Sequence, residues 1–234
     1  MITVGDVMNM RAFDSIWLAT PCDGAAAREV TGVGTLDHEP FTGGYEVFTQ
    51  GEFVFTTLGF AGVHPDLAEE ALLALIECGV AAVAVKPVVL KELSPTVVQA
   101  SAARGVPVFF YEGRYMERVI ADLMNLLDDD AAEWERNHLI DLILAPSDEH
   151  AVRSTFFTIA GVTGATIQCL AIRPVTDDGA SLRALQKVVE GVLTGYGERW
   201  DDVERTFVCR YREMLLGFVS FKRPPLKAIA ISDA

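Results

Sequence analysis

The apolar positions of the chain change period at Pro65. Before it, short strand-like stretches at 16–20, 29–34 and 53–57 are separated by turn signals at Pro21, Asp23-Gly24 and Gly43-Gly44. The region 36–50 has no clear period and reads as a loop, either lying over a site or making an irregular connection. After Pro65 the period is helical: Leu67, Ala71, Ala74, Leu75 and Cys78 share one face, and Glu69, Glu70 and Glu77 share another. Gly79 stands where a helix end takes a left-handed residue. A strand at 80–85 follows. Ser94-Pro95 then supplies an N-cap and first-turn proline for a helix through Ala103, which Gly105 ends before a buried strand at 106–110. Two crossovers of this length predict parallel strands with right-handed connections.

Further along, Met116, Val119, Ile120, Leu123, Met124 and Leu127 form an apolar stripe over about three turns. A dimer seam is one reading of it, but at under two heptads packing on the chain's own sheet is the preferred one. Asp128-Asp129-Asp130 reads as a solvated turn before a second helix at 131–144. Beyond Pro146 the pattern predicts a helix at 148–160, a turn between Gly161 and Gly164, and a strand at 165–172. A helix at 181–193 and two strands at 206–211 and 214–221, paired around Arg212-Glu213, complete it. This β-α-β-β order is that of an α+β sandwich, with 228–231 as one further edge strand. The fold class expected is therefore α/β: an N-terminal domain at 1–127 with a parallel-containing sheet flanked by helices, a helical linker at 128–150, and a smaller α+β unit at 151–234.

Composition narrows the function classes. In 234 residues, half hydrophobic and 22% charged, the chain has the makings of a sizeable core, and its apolar runs are too short and broken for a bilayer span. A net charge of -14 repels a phosphate backbone, so direct nucleic-acid binding by these residues is not expected. The opening Met1-Ile2-Thr3-Val4-Gly5-Asp6 has no basic head or apolar segment of a secretory leader, which makes the cytoplasm the expected compartment. Cys22, Cys78, Cys169 and Cys209 are far apart, form no CxxC pair and read as core residues.

The sequence carries no nucleophile with its base, no metal cluster and no phosphate loop. What it offers is a sheet edge. Thr56 and Thr57, Lys86, and Tyr111 with Glu112 each follow the apolar run of a strand directly, so all five are candidates to open on the carboxyl edge where α/β sheets hold ligands. The hydroxyls suit heterocycle or carbonyl groups, and the ammonium suits an anion. His38 and His64 read as solvated loop histidines, and Asp37 and Glu39 point apart if extended.

The opening 2–7, the segment Gly51-Glu52-Phe53-Val54-Phe55-Thr56-Thr57, and the strands at 79–85 and 105–110 together resemble the N-terminal domain of PucR-type transcriptional regulators, named for purine catabolism. The resemblance covers about residues 1 to 127. The unit at 165–221 is similar to the degenerate GGDEF-like domain of such regulators; Tyr211-Arg212-Glu213-Met214 stands where an active cyclase carries its GGDEF turn, which rules out nucleotide cyclisation. The resemblance implies a non-enzymatic sensor that binds a small-molecule effector, purine-related or other, forms a homodimer and needs no cofactor. Family members end in a helix-turn-helix, and 222–234 is too short for one, so the expectation is either a fragment of a longer regulator or a stand-alone sensor. Two alternatives stand beside it. One is a hydrolase or transferase using Glu52, Thr56, Lys86 or Glu112 at the same edge; the other is a dimerisation scaffold with a closed pocket.

Overall fold

The computed structural model describes residues 1–145, 148–173 and 179–224, with only the backbone given for 179–181, 183 and 184. The strand expected at 228–231 lies outside the described residues. The chain divides into two compact units, Met1–Ala131 and Ala132–Ala234.

The first unit opens with β1 (Ile2–Thr3) and α1 (Val4–Met8). Thr3 and Asp6 close a capping box: the Asp6 amide donates to the Thr3 hydroxyl at 3.2 Å, and the Thr3 amide donates to the Asp6 carboxylate at 2.9 Å. There follow β2 (Phe13–Leu18), β3 (Glu29–Val30), β4 (Gly32–Thr35), α2 (Glu39–Thr42), β5 (Glu52–Thr56), α3 (Pro65–Cys78), β6 (Ala82–Val85), α4 (Pro95–Arg104) and β7 (Val108–Gly113). The five-stranded sheet has the order β2-β7-β6-β5-β4. Strands β4 to β7 are parallel, as their crossovers predict, and β2 is an antiparallel edge. The stretch expected as one strand at 29–34 splits at Thr31. Its first half pairs with β1 and its second with β5.

Alternation along the strands divides the core. Val54, Val83, Val85, Val108 and Phe110 face α3 and α4, packing on Leu72, Leu75, Ile76 and Val97. Phe53, Phe55, Ala82, Ala84, Phe109 and Tyr111 face the other way, onto Val4, Val7, Val119 and Leu123. Strands buried on both faces read as continuous apolar runs, which is how they appear in the sequence. Gly79 and Gly105 end α3 and α4 in the left-handed conformation, at φ 73° and 66°. At the amino edge, Arg28 donates to the carbonyls of Ala81 at 2.8 Å, Val80 at 2.9 Å and Gly79 at 3.4 Å. Buried Thr20 and Ser101 satisfy each other at 2.7 Å. Thr20 also accepts the Val108 amide and Ser101 donates to the Val106 carbonyl, so the entry to β7 is fully hydrogen-bonded.

Helix α5 (Met116–Leu144) is one unbroken helix of 29 residues. This corrects the expectation of two helices joined by a turn at Asp128-Asp129-Asp130. Three aspartates are mediocre helix formers, yet none of them imposes the backbone break of a proline or glycine, and Asp128 and Asp129 face solvent. Asp130 accepts the Met1 ammonium at 2.6 Å.

The second unit continues with α6 (Glu149–Ala160), β8 (Thr166–Ile172), α7 (Gly179–Arg199), β9 (Val203–Tyr211) and β10 (Met214–Phe221). Asp148 caps α6 by accepting the Ala151 amide at 2.8 Å. The antiparallel sheet has the order β8-β10-β9, and the Arg212-Glu213 hairpin forms as expected, with Arg212 at φ 52°. Leu215, Val219 and Phe221 face Leu193 of α7, while Leu216 and Phe218 face Ile140 and Phe156. The chain is thus mixed α/β, a five-stranded sheet with parallel strands flanked by helices beside a small antiparallel sheet. Among the described residues, no helix is long and apolar enough to cross a membrane.

Because Asp128 and Asp129 are exposed helix-interior positions, replacing both by Ala is expected to stabilise the chain by about 1 kcal/mol in urea unfolding, from propensity alone. A turn at this point would instead lose stability on the same change.

Candidate functional site

At the carboxyl ends of β4 to β7 the chain leaves the sheet four times on one side, at Leu36, Thr57, Lys86 and Arg114. The segment Gly51–Thr57 reaches this edge along β5. Gly51 starts it at φ 89°, and a Cβ there would collide with the Thr31 hydroxyl, so only glycine fits. Thr56, fully buried, donates to the Leu36 carbonyl at 3.0 Å and accepts the Leu58 amide at 3.0 Å. Its hydroxyl therefore ties the exits of β4 and β5 together and holds Leu58 in its left-handed conformation, φ 46°. Thr57, half-buried, is the first residue of the turn that follows.

Lys86, half-buried, donates its main-chain amide to the Thr56 carbonyl at 2.9 Å. Its ammonium donates to the carbonyls of Gly113 at 3.3 Å and Arg114 at 3.1 Å. Among the described residues it forms no ion pair, so a full positive charge sits at the edge against neutral carbonyls.

Tyr111 and Glu112 fall on opposite faces of β7 by the two-residue alternation of a strand. Tyr111 is fully buried in the core beneath α5, with Phe13 at 5.5 Å and Phe55 at 5.8 Å between ring centroids, both edge-on. Its hydroxyl has no hydrogen-bond partner. Burial pushes it up to about 12, and the Glu117 carboxylate adds to the rise. Glu112 is exposed, opposite Ser15 of β2. The structure therefore brings Thr56, Thr57 and Lys86 to one edge, puts Glu112 on the adjoining surface, and turns the Tyr111 ring into the core.

The region 36–50 contains α2 and a short 3-10 turn at Tyr45–Val47, and it contributes a group that periodicity did not reveal. Phe41, half exposed at 50%, lies 5.6 Å edge-on from Phe60, 5.7 Å from the His38 ring and 6.0 Å from the His64 ring. The loop after β4 thus meets the turn after β5 through one aromatic ring bracketed by two exposed imidazoles. The signal in the sequence was two loop histidines, of which His64 meets Phe41 across from another loop.

The second unit has a groove of about 320 Å³ beside α6, with Phe157, Val162 and Ile167 on its walls and Arg153 at its rim. The Arg153 guanidinium is already committed to Glu149 at 3.0 Å and to the carbonyls of Gly164 and Ala165. Nearby, hydrogen bonds from Ser220 and Thr163 hold the Glu204 carboxyl below its usual range. This cluster ties the turn 161–165 to β9 and β10. No family model and no curated protein matches the chain.

Two substitutions separate structural from ligand roles. Thr56→Val leaves the Leu58 amide and Leu36 carbonyl without partners and is expected to cost about 1–3 kcal/mol in denaturant unfolding. Tyr111→Phe removes an unpartnered buried hydroxyl and is expected to stabilise by about 1 kcal/mol. Because the folded hydroxyl titrates above its ordinary value of 10.0, its share of stability is complete below that pH and is lost as pH rises toward about 12. The Phe variant is expected to lose that alkaline slope, read as melting temperature between pH 9 and 12.

Proposed function

We propose that the chain is the effector-sensing and dimerisation portion of a PucR-like transcriptional regulator, a cytoplasmic protein that binds a small metabolite without transforming it. The single observation that carries the reading is the make-up of the carboxyl edge. An ammonium with only carbonyl partners among the described residues stands at the exit of β6, and an exposed ring with an imidazole on each of two sides of it joins the exits of β4 and β5. A planar metabolite with anionic or carbonyl groups finds there a ring to stack against, imidazole donors and acceptors, and a cation. The resemblance of the segment 51–57 to the regulators' marker supports the same reading.

Sensing asks little of such a site. A ligand that binds two conformations with different affinity shifts their populations by that difference. The net charge of -14 supports a role in which these residues do not themselves contact DNA.

The test is a thermal-shift screen of the purified chain against purines, ureides, amino acids and short organic acids. A compound at 100 times its dissociation constant adds about 2.7 kcal/mol, a shift of several degrees. For an anionic hit, Lys86→Met is expected to weaken binding at least tenfold, and Phe41→Ala to weaken any planar hit. A shift that survives both changes places the ligand elsewhere and sinks the proposed site.

A further inference from the structure

Helix α7 packs one side on its own sheet through Leu182, Leu185, Val189, Leu193 and Tyr196. The adjoining, solvent-facing side carries Val188, 62% exposed, and Val192, 65% exposed. Gly191 and Gly195 lie beside them, and nothing stands within 4 Å of where a Cβ would be at either glycine. At 3.6 residues per turn these four positions form one stripe, apolar and low enough for another helix to approach closely. Burying a pair of valines on each side recovers about 25 cal/mol per Å² of apolar area withdrawn from water.

The charges flanking the stripe choose its occupant. Lys187 and Glu198 are both exposed, and eleven residues of helix bring them back to the same flank. If two copies of α7 cross antiparallel about a two-fold axis midway between residues 192 and 193, position i faces position 385 minus i. Lys187 of each copy then meets Glu198 of the other, twice over. In an antiparallel pair like flanks face each other, whereas a parallel pair sets unlike flanks together and loses this match. The stripe is thus complementary to its own inverted copy. With Lys187 and, one turn beyond Gly195, Arg199 against Glu198, the face is not itself anionic and escapes the mutual repulsion expected between two chains of charge -14.

We infer that the outer face of α7 is a self-docking surface at which two copies of this chain pair antiparallel through Val188 and Val192, with Lys187 and Glu198 fixing the register. The inference rests on the homodimer in the reading above and gives that dimer a location. It is an isologous contact, as a two-fold dimer requires.

Sedimentation equilibrium of the full chain tests it, with melting temperatures confirming that each variant folds. The wild-type chain is expected to be a dimer. Val192→Arg should raise the dimer dissociation constant at least a hundredfold. Lys187→Glu and Glu198→Lys should each raise it about tenfold, since each turns two attractive pairs into repulsive ones. The double swap, Lys187→Glu with Glu198→Lys, should return it to within about threefold of wild type. A wild-type dimer indifferent to all four variants overturns the α7 interface while leaving the homodimer. A swap that fails to rescue overturns the antiparallel register. A wild-type monomer at 100 µM, on the order of a weak interface's dissociation constant, overturns interface and homodimer together. Effector binding in the screen described above is read independently of all these outcomes.

Discussion

The first unit depends on burying both faces of β5, β6 and β7 at once. Phe53 and Phe55 supply one core, Val54 and Thr56 the other, and in between no main-chain group has water to fall back on. Everything at the strand ends follows from that constraint. Where β5 stops, the first free amide and the neighbouring carbonyl are collected by the Thr56 hydroxyl. Where β7 begins, Thr20 and Ser101 do the same. Where β6 begins, one guanidinium covers three consecutive carbonyls. The few buried polar side chains of this unit are the fittings that let apolar strands end.

Seen this way, the segment 51–57 is a structural sentence before it is a functional one. Gly51 admits Thr31, the two phenylalanines and the valine fill two cores, and Thr56 closes the exit. Only Thr57 is left to look outward. The opening 2–7 behaves likewise, its Thr3 and Asp6 spent on a capping box. Residues that mark a fold by their sequence serve to build the edge, and the groups that differ in chemistry, Lys86, Phe41, His38 and His64, sit on what has been built.

The sheet was legible because doubly buried parallel strands leave long apolar runs, and because Gly79, Ser94-Pro95 and Gly105 punctuate them with backbone requirements only those residues meet. What escaped were features decided by contacts across the chain. The run 128–130 looked like a turn from composition, but aspartate, unlike proline or glycine, does not by itself break a helix. Tyr111 looked like an edge residue by its place after an apolar run, whereas strand alternation had already assigned its ring to the core beneath α5. The Phe41 cluster joins two loops twenty residues apart, and no periodicity encodes such a meeting. The second unit's hairpin was readable for the opposite reason, since all its determinants are local.

Lys86 has one more consequence, in the kinetics of encounter. The chain carries a net charge of -14, and at the far, amino edge of the sheet Arg28 is turned onto main-chain carbonyls. An anion approaching from bulk solvent therefore crosses a field of mostly like charge before it meets the few cations of this edge, Lys86, Lys91 and Arg114. Salt shortens the reach of that field to about 8 Å at physiological strength. The surroundings of the edge thus act as a charge filter ahead of any contact: neutral heterocycles pass freely, while anions arrive faster as ionic strength rises, the reverse of ordinary electrostatic steering.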